Sequence, residues 1–281
     1  MSGTLFIVGT PIGNLGDVTA RAREVLSAVD LVAAEDTRRT GRLLRSLGIA
    51  ATLASLHDAN ERERSARILE TVREGRSVAL VSDAGMPLVS DPGYHLVRAA
   101  IAEGLDVRVV PGPSAMLAAL VLSGLPADRF SFEGFAPRKA GERVRRLGEL
   151  KEDSRTLVFF ESPVRVRTLL RDMLSVFGDR PAAVCRELTK LHEEVVRGRI
   201  SEVLAAMAGQ PKGEIVVVIG GATGPAPVDL DACADEARQL ISGGMRKRDA
   251  AHLVAERRGA SANGVYRRLI DAPVEAAADD R

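Results

Sequence analysis

Residues 78–93 read VALVSDAGMPLVSDPG, and this stretch decides the fold. Val78 to Ser82 form a short apolar run of the kind buried on both faces of a sheet. The strand stops at Asp83-Ala84-Gly85, and Pro87 forbids its continuation. Asp91-Pro92 then predicts a helix start, with an aspartate to cap free N–H groups and a proline suited to the first helical position. Leu96, Val97, Ala100 and Ile101 fall on one helical face, and Gly104 ends the helix. A strand, a crowded turn holding a carboxylate and a helix make the kind of junction where open α/β sheets bind ligands. A lone Asp-Gly turn also forms for structural reasons alone, so the neighbouring loops decide.

Outward from this stretch, strands and helices alternate. Before it lie a strand at 5–8, a loop at 9–17 and a helix capped by Thr19. A strand at 31–34 follows, ending at Glu35-Asp36, then an arginine-rich helix, a short strand near 52–56 and a charged helix at 60–74. After it come a strand at 107–110, the loop Pro111-Gly112-Pro113-Ser114 and a helix at 115–122. This alternation predicts a mostly parallel sheet covered on both faces, in a first α/β domain at residues 1–124. A second α/β domain is expected at 125–222. Its strands are placed near 129–133, 156–160, 182–188, 194–197 and 215–219, close enough for antiparallel pairs and a mixed sheet. Ser162-Pro163 is expected to open a helix whose apolar positions Val166, Leu169, Leu170, Met173, Leu174 and Phe177 follow the helical period. A Gly/Pro/Ala linker at 220–227 leads to a small helical module at 228–272, with helices at 230–242, 247–258 and 262–270. It resembles a helix-turn-helix in outline. The tail at 273–281 is expected to be disordered.

Composition narrows the function. The hydrophobic fraction of 46% is ample for full cores, and no apolar run reaches the ~20 residues of a membrane span. No signal peptide is apparent at the N-terminus. Cys185 and Cys233 are isolated, match no zinc spacing and suit a reducing cytosol. The scattered histidines likewise give no metal site. Net charge is +1, but residues 138–151 hold six basic and two acidic side chains, and 245–268 hold seven and two. Such runs are commonly solvated faces; two of them flanking one site point to a polyanionic partner.

The first loop, Gly9-Thr10-Pro11-Ile12-Gly13-Asn14-Leu15-Gly16-Asp17, fits two common nucleotide motifs badly. It lacks the Lys-Ser/Thr of a phosphate-cradling loop. Its glycines do not make GxGxxG, and Pro11 removes an N–H where a pyrophosphate would need one. A nicotinamide enzyme is therefore disfavoured, although Glu35-Asp36 lie where a ribose ligand would be expected. Carboxylates and carbonyls suit ribose hydroxyls and a positive centre, as in S-adenosylmethionine.

Nine motifs then occur in one order: Gly9-Thr10-Pro11-Ile12-Gly13-Asn14, Ala34-Glu35-Asp36-Thr37-Arg38, Ser82-Asp83-Ala84-Gly85, Ser90-Asp91-Pro92-Gly93-Tyr94, Pro111-Gly112-Pro113-Ser114-Ala115, Glu133-Gly134-Phe135, Phe160-Glu161-Ser162, Arg186-Glu187-Leu188-Thr189-Lys190 and Lys212-Gly213-Glu214. Over residues 4–270 the chain resembles the ribosomal small subunit RNA methyltransferase I family, the 16S rRNA (cytidine-2′-O)-methyltransferases of the tetrapyrrole methylase superfamily. The resemblance implies an α/β, class III (tetrapyrrole-methylase-like) methyltransferase, with two α/β domains, a cofactor cleft between them and a small C-terminal helical module. It implies S-adenosylmethionine as cofactor and 2′-O-methylation of cytidine 1402 in 16S rRNA of the small ribosomal subunit. A cytoplasmic homodimer without membrane attachment is the implied form. The implied cofactor contacts are Pro11, Asp83, Ala84, Met86, Ser114, Ala115, Glu161, Ser162 and Glu214.

For the 2′-hydroxyl, a general base or a cation beside the forming alkoxide is needed. Asp36, Glu187, Lys190 and Glu214 are candidates, and each also has a reading as a fold-holding ion-pair member. Lys190 is expected to act at the 2′-oxygen, with Asp36 orienting nearby groups. Arg138, Lys139, Arg143 and Arg146, with Arg246, Lys247 and Arg248 in the C-terminal module, are the expected RNA contacts. Two alternatives stay open: a tetrapyrrole-precursor methyltransferase sharing the cleft, and a non-catalytic RNA-binding assembly factor.

Overall fold

The computed structural model describes residues 3–57, 59–207, 209, 212–223 and 229–271. It divides into two compact units, Met1–Ala222 and Thr223–Arg281. The first unit contains two five-stranded sheets. In chain order the first sheet has β1 (Thr4–Val8), β2 (Leu31–Ala34), β3 (Leu53–Ser55), β4 (Val78–Val81) and β5 (Asp106–Val110). Their spatial order is β3-β2-β4-β1-β5, and every pair is parallel. The helices between them are α1 (Ala20–Ala28), α2 (Thr37–Ser46), α3 (Glu61–Arg73) and α4 (Tyr94–Ala102).

Strand alternation distributes the core to two faces. Leu5, Ile7, Val78 and Leu80 pack with Ile68, Leu69, Leu96 and Ala100 of α3 and α4. Val8, Val32, Ala79 and Val81 pack with Ala22, Leu26 and Leu44 of α1 and α2. All four residues of β4 are buried, as its position at the centre of a doubly covered sheet requires.

Helix α5 (Ala115–Ser123) follows β5, and its buried Ala119 and Leu120 lie on the second sheet, against Val158, Ala183, Cys185, Val216 and Val218. That sheet comprises β6 (Phe130–Phe135), β7 (Thr156–Glu161), β8 (Pro181–Arg186), β9 (Glu194–Arg199) and β10 (Ile215–Ile219), in the order β6-β7-β10-β8-β9. β6 and β7 are parallel, whereas β10 is antiparallel to β7 and β8, and β8 to β9. The expected mixed sheet is present. Its other face carries α6 (Ala140–Glu149), α7 (Val166–Phe177) and α8 (Ile200–Ala206). β10 is buried throughout, and each Val or Ile so placed is worth about 1.5–3 kcal/mol. Cys185 lies in this core, where burial pushes its thiol up to about 11, a position for packing rather than reactivity.

Three local readings of the sequence need correction. The helix expected to start at Asp91-Pro92 is α4, which begins at Tyr94. Its N-terminus is capped from a distance, because the buried carboxylate of Glu61 accepts from the N–H groups of Gly93 and His95 at 3.0 and 2.8 Å. Likewise, Ser162-Pro163 begins a turn and α7 proper starts at Val166. Helix α8 was not foreseen. It follows β9 directly, and the Glu202 carboxylate accepts from the Arg199 N–H at 2.7 Å to cap it.

The second unit contains α9 (Leu230–Ser242), α10 (Lys247–Arg258) and α11 (Ala262–Asp271). Asp229 caps α9 by accepting from the N–H groups of Asp231 and Ala232, and Gly259 closes α10. The core is made of small side chains, including Cys233, Ala237, Ala250, Ala251, Val254 and Val265. The expected disordered tail at 273–281 lies outside the described residues.

Candidate active site

The carboxyl ends of β1, β2, β4 and β5 meet one end of the second sheet, where β6 and β7 finish and β10 begins, around a cavity of about 440 Å3, a volume typical of a small-ligand site. Ile12, Glu35, Arg39, Asp83, Ala84, Met86, Ser90, Asp91, Ser114 and Ala115 line it from the first sheet's loops. Phe135, Phe160, Ser162, Leu188, Gly213, Glu214 and Val216 line it from the second.

The first wall is fixed by backbone. Thr10 is buried and forms an isolated antiparallel bridge with Gly85. Its N–H donates to the Gly85 carbonyl at 2.9 Å, and the Gly85 N–H donates back at 3.1 Å. Its hydroxyl reaches the Ser82 carbonyl at 3.2 Å. The Asp36 N–H donates to Asp83 Oδ1 at 3.1 Å, and Arg39 pairs with Asp83 Oδ2 at 3.3 Å. The turn after β4 is thereby tied both to the first loop and to the start of α2.

The second wall is held by side-chain charge. Lys190 Nζ lies 2.8 Å from Glu187 Oε1 and 3.1 Å from Glu214 Oε2. Glu187 Oε1 also accepts from the Glu214 N–H at 3.0 Å. Burial works against the Lys190 charge, but hydrogen bonds to the two carboxylates outweigh it and its pKa lies above that of an ordinary lysine. The Lys190 hydrogen bond, followed by that from the Glu214 backbone, holds the Glu187 carboxyl low. Lys190 is therefore held as an ammonium between the two carboxylates. Its stem runs so close over Gly13 that a Cβ there would stand 2.5 Å from Lys190 Cγ. Glu187 and Thr189 have φ of 52° and 66°, and such left-handed non-glycine residues cost about 1–3 kcal/mol each and cluster at functional loops.

The residues expected from the sequence separate into groups. Asp83, Ala84, Met86, Ser114, Ala115, Glu161, Ser162 and Glu214 all border the cavity, and Ile12 rather than Pro11 represents the first loop there. The Glu161 carboxylate is already engaged, buried against Arg165 at 2.7 Å and accepting from the Ser162 N–H at 2.7 Å. Lys190 and Glu187 lie behind the lining residue Glu214 and do not themselves border the cavity. Neither does Asp36. It caps α2 by accepting from the Arg38 N–H at 2.8 Å, and the Arg38 side chain and backbone bonds bring its pKa down to about 2. Such a carboxylate is a poor base, so it is its backbone that orients Asp83.

Arg143 is a clear correction: it is buried, bonded to Asp172 at 2.6 Å and to the carbonyls of Pro137 and Arg138. It ties α6 to α7 and is unavailable to RNA. Arg146 is half-exposed, and both of its ion pairs, with Glu133 and Glu149, are satisfied within the protein. Arg138, Lys139, Arg246, Lys247 and Arg248 remain exposed. Sequence reasoning missed Arg39, Phe135 and Leu188 as cavity residues; Phe135 stood in a recognised motif, and the alternation of its strand alone would have turned it away.

Residues 4–204 match the family described as Tetrapyrrole (Corrin/Porphyrin) Methylases. The chain is 50% identical over 220 residues to Ribosomal RNA small subunit methyltransferase I of Thermotoga maritima, covering 78% of this chain and 99% of that protein. The protein of the same name in Escherichia coli O157:H7 is 44% identical over 273 residues, covering 96% of this chain and 95% of that one. Among solved structures, the methyltransferase CobJ aligns with a TM-score of 0.59 at 24% identity, over 79% of this chain and 95% of CobJ. A diphthine synthase aligns with 0.58 at 17% identity, over 78% of this chain and 90% of that one. At these identities the two structures speak to fold alone, and it is the same two-sheet methylase fold. By the family match and by its long, close relatives, this chain is a methyltransferase that belongs to the ribosomal RNA small subunit methyltransferase I family, within the tetrapyrrole methylases.

Proposed function

We propose that this chain methylates the 2′-oxygen of a cytidine ribose, cytidine 1402, in 16S rRNA of the small ribosomal subunit, using S-adenosylmethionine. We further propose that it does so as a cytoplasmic homodimer. The observation that carries this reading is a fixed ammonium, Lys190, held between Glu187 and Glu214 beside an apolar, acid-lined cavity.

The lining suits the cofactor. Ile12, Ala84, Leu188 and Val216 offer apolar surface, while Glu35, Asp83, Asp91 and Glu214 place carboxylates around it. The cation among them, Arg39, is committed to Asp83. That donor set favours a positively charged ligand with ribose hydroxyls over one bearing phosphates. The backbone at Asp83 to Met86 and at Ser114-Ala115 would hold it, and when bound it supplies an activated methyl group. A large tetrapyrrole polyacid would meet these carboxylates unfavourably, which sets that alternative aside.

Catalysis then rests on positioning and on charge. Holding the reacting groups together gives effective molarities of about 10⁵ M or more. A ribose 2′-hydroxyl is a poor nucleophile until its proton leaves, and negative charge grows on the oxygen as it does. The Lys190 ammonium meets that charge, with the two carboxylates keeping it protonated and aimed. Glu214, whose side chain is 66% exposed, would take up the released proton and pass it to water. Exposed Arg138 and Lys139 on the first unit, and exposed Arg246, Lys247 and Arg248 on the second, would present charge to the phosphate backbone.

Methyl transfer from labelled S-adenosylmethionine to purified small subunits lacking their ribose methylations tests this directly. Nuclease digestion is expected to place the label in 2′-O-methylcytidine. Unlabelled subunits, or label on a base, would contradict the proposal.

A further inference from the structure

Phe135 is an aromatic side chain in a chain with only 3% aromatic residues, yet it stands 58% exposed in the wall of the cavity. Its strand would not put it there by simple alternation. Phe130 and Phe132 pair with Thr156 and Val158, and these phenylalanines pack with Val158 and Phe160 on the α5 face of the sheet. Continued alternation would send Gly134 to that face and Phe135 to the opposite one. Instead the register shifts between Phe132 and Gly134, so that Gly134 pairs with Phe159 and Phe135 with Phe160. Glu133 is the extra residue of a β-bulge, a device that re-aims a side chain beside an active site. Gly134 makes the bulge possible with φ of 63°, a conformation that residues with a Cβ rarely adopt.

The re-aimed ring is also held. Phe160 meets Phe135 edge-on at 5.8 Å between centroids, and Phe132 meets Phe160 edge-on at 4.8 Å. This row of rings fixes Phe135 at the outer end of the wall. Exposed Arg138 and Lys139 follow within four residues, in the bend between this edge strand and α6. Farther in, Ile12, Leu188 and Val216 are already buried apolar surface for a cofactor base. A rigid, outward ring beside cations is the arrangement by which proteins stack unpaired bases while binding the flanking phosphates.

We propose that Phe135 is a stacking platform for an unpaired nucleobase of the RNA substrate, positioned by the bulge at Glu133-Gly134. This rests on the RNA methyltransferase reading above. Its chemistry is recognition of a base face, so it positions the substrate and takes no part in proton or methyl transfer.

The test compares the full-length wild type with Phe135→Ala, Phe135→Leu and Phe135→Trp. Steady-state transfer into purified small subunits lacking ribose methylations gives KM and kcat, calorimetry gives the S-adenosylmethionine dissociation constant, and thermal unfolding checks the fold. Loss of the stack is expected to raise KM for subunits about tenfold in both the alanine and the leucine variants. The tryptophan variant is expected to restore it, and cofactor affinity and unfolding temperature to stay at wild-type values. A leucine variant as good as wild type would make the ring a mere apolar filler and overturn the proposal. So would an unchanged KM, or a loss in cofactor affinity that tracks the loss in KM. A wild type that leaves the subunits unmethylated would overturn the RNA reading itself, and the stacking role with it.

Discussion

The two walls of the cleft are built in different ways. The first, from Thr10, Ser82, Asp83 and Gly85, is joined mainly by backbone hydrogen bonds and the hydroxyls of Thr10 and Ser82, with one ion pair, Arg39 to Asp83. The second, from Glu187, Lys190 and Glu214, is joined by ion pairs around a partly exposed ammonium. Backbone bonds fix shape with little dependence on pH or salt, whereas side-chain charges supply a field and respond to both. The difference fits the division of labour proposed above, in which the first wall would hold the cofactor and the second would act on the substrate oxygen.

The largest effect on the first wall is expected from Thr10→Val, which keeps the side chain's shape and deletes its hydroxyl. The Ser82 carbonyl loses that partner, at a cost of about 1–3 kcal/mol. Denaturant unfolding is expected to show that loss, and calorimetry a weaker affinity for S-adenosylmethionine. Unchanged cofactor affinity in this variant would break the assignment of the first wall. A smaller effect is expected at the rim of the second wall, from combined Arg138→Ala and Lys139→Ala. Binding to subunits is expected to weaken severalfold, and the slope of log affinity against log salt to fall by about 1–2. Stability and cofactor binding are expected to stay unchanged, since both side chains are exposed.

The smallest effect concerns Asp36, whose carboxyl is held down to about 2. A depressed folded pKa contributes stability above the unfolded value, near pH 4, and loses it as pH falls through about 2. Asparagine also caps helices well, so Asp36→Asn isolates the charge. Its unfolding curve is expected to lie slightly below wild type at neutral pH and to converge with it between about pH 4 and pH 2. Turnover is expected to stay near wild type, because the Asp36 carboxylate is taken up by the backbone and side chain of Arg38.

What the sequence made legible follows the range of the interactions involved. The β4 strand, the turn at Asp83 and the helices of the second unit are local signals, and they appear where expected. Asp91 failed as a cap because the true one, Glu61, comes from a residue about one helix earlier in the chain. Arg143 read as a surface cation because its partner Asp172 sits on the next helix. Phe135 was quoted within a motif, but its role waited on a register shift that composition and period do not reveal. Lys190 stands out in the sequence as a lysine in a motif, but its two carboxylate partners, Glu187 and Glu214, come together only in the fold.

The division of labour is tested most directly by the single-turnover methyl-transfer rate of Lys190→Met at saturating S-adenosylmethionine, read beside that variant's cofactor affinity. The expected result is a rate lower by about 100-fold or more with the dissociation constant for the cofactor unchanged. A folded variant that transfers methyl at the wild-type rate, or one that loses cofactor affinity in step with rate, would contradict it.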